Sequence, residues 1–159
     1  MKNFIITLSF LLSFSAQAEY KIGDTATYAT ISNGQSFDLK NDVLAVDAEN
    51  DLMTIKQTVI MNGSVLQQNT TDEKISDTEQ NEFIFDVCLQ APISLNPRYE
   101  TITVLAGTFN TCHISAKDET GAEFNGYYSK VLFGFVKITK TGTTDNTDLS
   151  LELKSFKKL

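Results

Sequence analysis

Apolar and polar residues alternate at every second position through most of this chain. In Leu52–Met61, Met53, Ile55, Val59 and Met61 fall on one face, and Thr54, Lys56 and Thr58 on the other. Period two is the mark of a strand buried on one side. Leu149, Leu151 and Leu153 alternate in the same way with Ser150, Glu152 and Lys154, so one face of that strand is wet or only partly covered. Residues 82–89 repeat the pattern with Phe83, Phe85, Val87 and Leu89 and predict another strand. Further strands are predicted at 21–31, 43–48, 64–70, 99–106, 108–116, 122–129, 135–141 and 148–156. Asn33-Gly34 and Asn62-Gly63 offer the positive φ angles of tight hairpin turns. Gly107 predicts a tight turn or a bulge, with Phe109 packing just after it. Residues 71–81 are polar and acidic and read as a loop or a short helical turn, and 90–97, which holds both prolines, reads as a connection. The pattern predicts an all-β fold. One antiparallel domain curves into a barrel or half-barrel of about nine or ten strands.

The N-terminus follows a different rule. Lys2 precedes an apolar run at 4–14 that is broken only by Thr7, Ser9 and Ser13, and Ala16-Gln17-Ala18 is a small-x-small cleavage signal. This predicts a secretory leader at 1–18, removed after Ala18, and a single all-β domain at 19–159. The run is shorter than the roughly 20 residues that span a bilayer, and no later segment is expected to cross one as a helix. The expected location is therefore periplasmic or secreted. The net charge of −7 becomes one unit more negative without Lys2. An acidic domain is repelled by nucleic acid and by anionic headgroups, so no nucleic-acid partner is expected.

The chemistry-bearing residues are few. The only histidine, His113, follows Cys112 in the segment 104–115, VLAGTFNTCHIS. Neighbours on a strand point to opposite faces. Cys112, Ile114 and Ala116 form the apolar set, so Cys112 is expected in the core and His113 toward solvent. That separates thiol from imidazole and argues against a catalytic pair. An exported chain with two cysteines is expected to join them, and Cys88–Cys112 is the only internal pairing. One histidine and two bonded cysteines cannot build a zinc site. There is no G-x-S-x-G, H-E-x-x-H or phosphate-cradling glycine loop. Asp47-Ala48-Glu49-Asn50-Asp51 begins like a calcium loop but has Leu52 where glycine is needed and Thr58 where the twelfth-position acid belongs. Asp72, Glu73, Asp77, Glu79, Glu82 and Asp86 cluster in sequence, yet nothing singles out a catalytic pair, and there is no Trp for a sugar platform. No catalytic residue, metal or cofactor is expected. Phe124, Tyr128, Phe133 and Phe135 crowd the C-terminal meander. They either fill the core or line an apolar cleft for a hydrophobic ligand.

Val104-Leu105-Ala106-Gly107-Thr108-Phe109-Asn110-Thr111-Cys112 resembles the V-x-A-G-T-F-x-T-C segment of uncharacterised exported bacterial proteins. Residues 127–137 resemble the aromatic strand and "G-V-G-L-V-K" turn of that family, although Phe133-Gly134-Phe135 keeps only one of the turn's glycines. Ile22-Gly23-Asp24 with Tyr28 fits its N-terminal start. The resemblance implies a curved antiparallel sheet, loosely similar to periplasmic lipoprotein carriers. It supplies no activity and no catalytic residues. The expected function is that of an exported, non-enzymatic cell-envelope protein that binds an apolar ligand or an envelope partner. The alternatives are a structural or interaction protein without a small-molecule ligand, and a carboxylate-based hydrolase.

Overall fold

The computed structural model describes residues 20–117, 119, 121–142 and 148–159, and the leader expected at 1–18 lies outside them. Alternating residues and tight turns produce β1 (Thr25–Ser32), β2 (Gln35–Asp47), β3 (Leu52–Met61) and β4 (Ser64–Lys74). A helix, α1 (Ile75–Asp86), and two 3-10 turns at Cys88–Gln90 and Ile93–Leu95 follow. The chain then forms β5 (Arg98–Val104), β6 (Gly107–Lys117), β7 (Glu123–Tyr128), β8 (Phe135–Thr141) and β9 (Leu149–Lys157). The turns Asn33-Gly34 and Asn62-Gly63 have φ of 51° and 75°, and 53° and 77°, the left-handed pair that a two-residue hairpin needs.

All neighbours in the sheet are antiparallel, in the order β4-β3-β2-β1-β9-β8-β7-β6-β5. The first and last strands thus join two meanders at the centre of one nine-stranded sheet. β4 and β5 are its edges, so the sheet is a half-barrel and not a closed barrel. Register shifts at Thr27/Tyr28, Val43/Ala45, Val59/Ile60 and Tyr127/Tyr128 bend it, as bulges do. The turn between β5 and β6, where Gly107 has φ 133°, reaches back to β9. Ala106 N donates to Leu153 O at 3.0 Å, although β8 and β7 lie between those strands in the sheet.

The helix corrects the strand expected at 82–89, and residues 71–81 divide between the end of β4 and the start of α1. The physical reason is a cap supplied from a distance. Lys74, the residue before the helix, makes no side-chain cap. Instead Asp51, at the turn between β2 and β3, accepts Ser76 N at 2.9 Å and Ser76 Oγ at 2.6 Å, and Ile75 N donates to Asp51 O. These bonds satisfy backbone donors that a helix start otherwise leaves open.

The core lies on the concave side of the sheet. Tyr20, Tyr28, Val43, Met53, Ile55, Val131, Leu132, Phe133, Val136 and Leu153 are buried together. A second cluster forms around the disulfide Cys88–Cys112, with Tyr128, Ile84, Phe85, Ile114 and Phe135. Val59 and Thr58 keep the opposite faces expected of them, but Thr58 is buried between its cross-strand neighbours Lys40 and Gln68.

Candidate functional site

The concave mouth of a half-barrel is the natural place for a ligand. Here the chain occupies it with its own residues. Between β7 and β8, Ser129 to Gly134 folds into the mouth through three short backbone bonds. Ser129 N donates to Gly134 O, Val131 N to Ser129 O, and Gly134 N to Val131 O, all at 2.8–2.9 Å. Val131, Leu132 and Phe133 are thereby buried, Leu132 completely. Two consecutive left-handed residues make the exit, Phe133 at φ 64° and Gly134 at φ 77°. Gly134 is required for a second reason, since a Cβ there would lie 2.5 Å from the backbone of Asn81 and Glu82. Helix α1 therefore rests directly on this glycine.

The four aromatic residues expected to fill a core or line a cleft occupy different environments. Phe133 is buried and stacks on Tyr20 with ring centroids 6.1 Å apart. Phe135 is half-buried and stacks on Tyr28 at 4.6 Å. Tyr128 is buried against the disulfide, its ring lying over Gly126, where a Cβ would sit 2.5 Å from it. Phe124 is half-buried, opposite Ala116 and Lys140. Phe133 and Phe135 thus pack on other rings of the main core.

Two surface concavities lie elsewhere and include none of the four. One, of about 350 Å³, is lined by Ala29, Ile31, Phe37 and Ile60 with Asp38 at its edge, beside the tips of the β1–β2 and β3–β4 hairpins. The other, of about 380 Å³, is lined by Ser94, Asn96, Ser115, Ala116, Lys117 and Glu123. The most exposed apolar residues lie on the connection between α1 and β5. Ile93 is 93% exposed and Leu89 69%, and Phe83 on α1 and Tyr99 on β5 are each about half exposed. This connection is tied down by the disulfide at Cys88 and by Tyr99 Oη, which donates to Phe85 O at 2.9 Å.

His113 corrects an expectation. It does stand on the face opposite Cys112, but it is buried, not in solvent. Its cross-strand neighbour Tyr127 lies flat on the imidazole, with centroids 4.4 Å apart and planes 2° from parallel. Nε2 lies 3.0 Å from Asn125 Oδ1 and makes the ring's hydrogen bond. Nδ1 lies 3.2 Å from Glu100 Oε1, an ion-pair distance without hydrogen-bond alignment. A ring covered in this way braces β5, β6 and β7 and is closed to a substrate.

The acidic residues are used one at a time. Asp51 caps α1, and Asp47 accepts Asn50 N and Asn50 Nδ2. These bonds hold both carboxyls below the usual carboxylate range. Asp72 accepts Thr54 Oγ1, and Asp86 pairs with Lys130 at 2.8 Å. Glu82 accepts Tyr20 Oη at 2.9 Å. Burial pushes the carboxyl of Glu82 up, and burial with the Glu82 charge pushes the Tyr20 phenol far up. Among the described residues, no three His, Cys, Asp or Glu side chains are placed to share a metal ion. No described helix is long and apolar enough to cross a membrane.

These features define a class, the open antiparallel half-barrel whose mouth is closed by a helix and an inward loop. No protein-family model and no curated protein matches the chain. Solved structures share its fold. A protein of Bacteroides fragilis NCTC 9343, assigned as exported and with a YmcC-like fold, superposes with a TM-score of 0.51 at 12% identity. The match covers 87% of this chain and 97% of that one. A protein of Parabacteroides distasonis ATCC 8503, assigned as a lipoprotein, gives the same TM-score and identity over 86% of this chain and 96% of its own. The likeness is one of fold.

Proposed function

We propose that this chain is an exported, non-enzymatic cell-envelope protein that binds a partner protein through the connection between α1 and β5. Export is supported by the leader-like N-terminus, by a disulfide that an oxidising compartment would preserve, and by fold neighbours assigned as exported or as a lipoprotein. The exposure of Ile93 carries the binding reading. Single apolar residues on a surface are ordinary. Here Phe83, Leu89, Ile93 and Tyr99 share one connection and its flanks, on backbone tied down at Cys88 and Phe85. A fixed apolar segment loses little conformational entropy when it is covered.

The 350 Å³ groove lined by Ala29, Ile31, Phe37 and Ile60 favours a second reading, a small apolar ligand. Its size is at the lower end of the roughly 300–1,000 Å³ typical of ligand pockets. A carboxylate hydrolase would need two acids converging in one cleft, and each of the two concavities holds a single carboxylate, Asp38 or Glu123. Native mass spectrometry of the protein from its own envelope fraction, with a photo-crosslinking residue at position 93, separates the readings. The first expects no small-molecule mass and one discrete protein adduct at 93, absent when the crosslinker is at Ser36. A near one-to-one apolar adduct that Ile60→Asp abolishes would overturn it in favour of the second. Neither adduct would refute both.

A further inference from the structure

The two edges of the sheet are managed differently. β5 is seven residues long, follows Pro97, and carries Arg98 and Glu100. Its tip is hydrogen-bonded to β9 and its Tyr99 to α1. These are the devices that stop an edge from pairing with another chain. β4 has such guards only toward its ends, the register shift at Leu66 and the charges of Asp72, Glu73 and Lys74. It is eleven residues long and contains no proline, and residues 64–71 contain no charge. All but Thr71 and Glu73 are exposed along it. The shift at Val59/Ile60 leaves Leu66 unpaired near one end, so 67–74 is the regular run. Helix α1 leaves this edge at Lys74 and crosses to Gly134 and the disulfide, so it does not cover the strand.

We propose that two copies of this chain associate through β4, antiparallel about a two-fold axis at Thr70 or Thr71, to form one continuous sheet. The charge pattern is compatible with a second copy in this orientation and disfavours the parallel one. With the axis at Thr70, Asp72 and Glu73 face Gln68 and Gln67 of the other copy. With the axis at Thr71 they face Thr70 and Asn69. Lys74 faces Leu66 or Gln68. Acid never meets acid in either register, whereas parallel pairing would place Asp72 on Asp72 and Glu73 on Glu73. Like charges directly opposed across strands are destabilising, and threonine pairs are favourable. The backbone groups along the free edge gain partners, and the exposed Val65 and Leu66 lie beside the new seam. This surface is separate from the α1–β5 connection and goes beyond the partner proposed there.

Two experiments test the seam. The first is mass by light scattering and native mass spectrometry over a concentration series. The wild-type chain is expected to dimerise, and Thr70→Asp/Thr71→Asp, which opposes acids in either register, is expected to weaken the dimer at least about tenfold. The second is a single-cysteine scan at 69, 70, 71 and 72, with Thr103→Cys on β5 as control. The structure has no free cysteine among its described residues, so the new thiol reports alone. Opposed antiparallel residues sit roughly 4.5–5.5 Å apart at Cα, within disulfide reach. Linkage should therefore peak at 70 or 71 and be low at 103. The scan stands even if the double aspartate variant fails to fold. A chain that stays monomeric, a dimer indifferent to the aspartates, or linkage equal at 103 would overturn the proposal. So would occupation of β4 by a strand of a different protein.

Discussion

Leu132→Ala tests whether the mouth of the half-barrel is sealed by the inward loop. Leu132 is fully buried, between Val131 and Phe133, and its carbonyl faces Tyr28 Oη at 3.5 Å. Truncation removes three carbons, worth about 2.4 kcal/mol at ~0.8 kcal/mol per CH₂. The cavity left behind raises the cost, so a loss of about 2–5 kcal/mol is expected. For a domain of this length, 1 kcal/mol corresponds to roughly 3 °C in Tm, so the midpoint should fall by roughly 6–15 °C. Thermal and urea unfolding by circular dichroism measure it, with Leu89→Ala as the exposed control. Leu89 is 69% exposed, and its truncation should stay within about 0.5 kcal/mol. If Leu132→Ala shifts the midpoint no more than Leu89→Ala does, the loop is a surface flap and the mouth is available to a ligand.

Further outcomes follow from the same packing. Cys88→Ala/Cys112→Ala opens a link with a sequence separation of 24, and the chain-entropy relation gives a loss of about 3.5 kcal/mol in urea unfolding; a loss under about 1 kcal/mol would mean that α1 is held without it. Gly134→Ala and Gly63→Ala both place alanine at φ 77°, but only the first meets backbone, at Asn81 and Glu82. Gly63→Ala should cost about 1–2 kcal/mol and Gly134→Ala clearly more, and equal costs would remove the helix contact from the argument. The carboxyl of Glu82 is raised by burial, so the folded chain holds its proton to a higher pH than the unfolded chain does. Stability from this group is then greatest at low pH and declines as pH rises through the ordinary carboxylate range up to the raised value. Urea midpoints of Glu82→Gln between pH 4 and 7 should lack that decline, and an unchanged slope would show that Glu82 does not cause it.

The strands were legible because the face toward the core is apolar at every second residue, and because Asn-Gly pairs mark two of the turns. β3 and β9 read cleanly for that reason. The helix was not legible, since Phe83, Phe85, Val87 and Leu89 alternate as a strand would, and the acceptor that caps its N-terminus, Asp51, lies 25 residues before Ser76. Wrapped as a helix, the same residues scatter, with Phe83 exposed and Phe85 packed on Tyr99 at 5.6 Å. β2 begins at Gln35, earlier than expected, because pairing with β1 supplies what a polar segment lacks in apolar residues. His113 stands on the expected face but is buried there. Its cover comes from Tyr127, a cross-strand neighbour that no local pattern identifies. The two cysteines paired as their number implied. The aromatic cluster could be read as core or cleft from sequence, and only stacking on Tyr20 and Tyr28 shows which residues touch.

The segment from Ile75 to Pro97 joins these observations. It carries the chain from one edge of the sheet to the other and is held at three places along its length. Asp51 holds its start, Gly134 lies under Asn81 and Glu82, and Cys112 bonds Cys88 near its middle. Its inner side and the loop carrying Leu132 pack into the core. Its outer side turns Leu89 and Ile93 away from every contact that fixes it. The crossing segment and the free edge stay exposed to other molecules. Those surfaces are where binding by this chain should be sought.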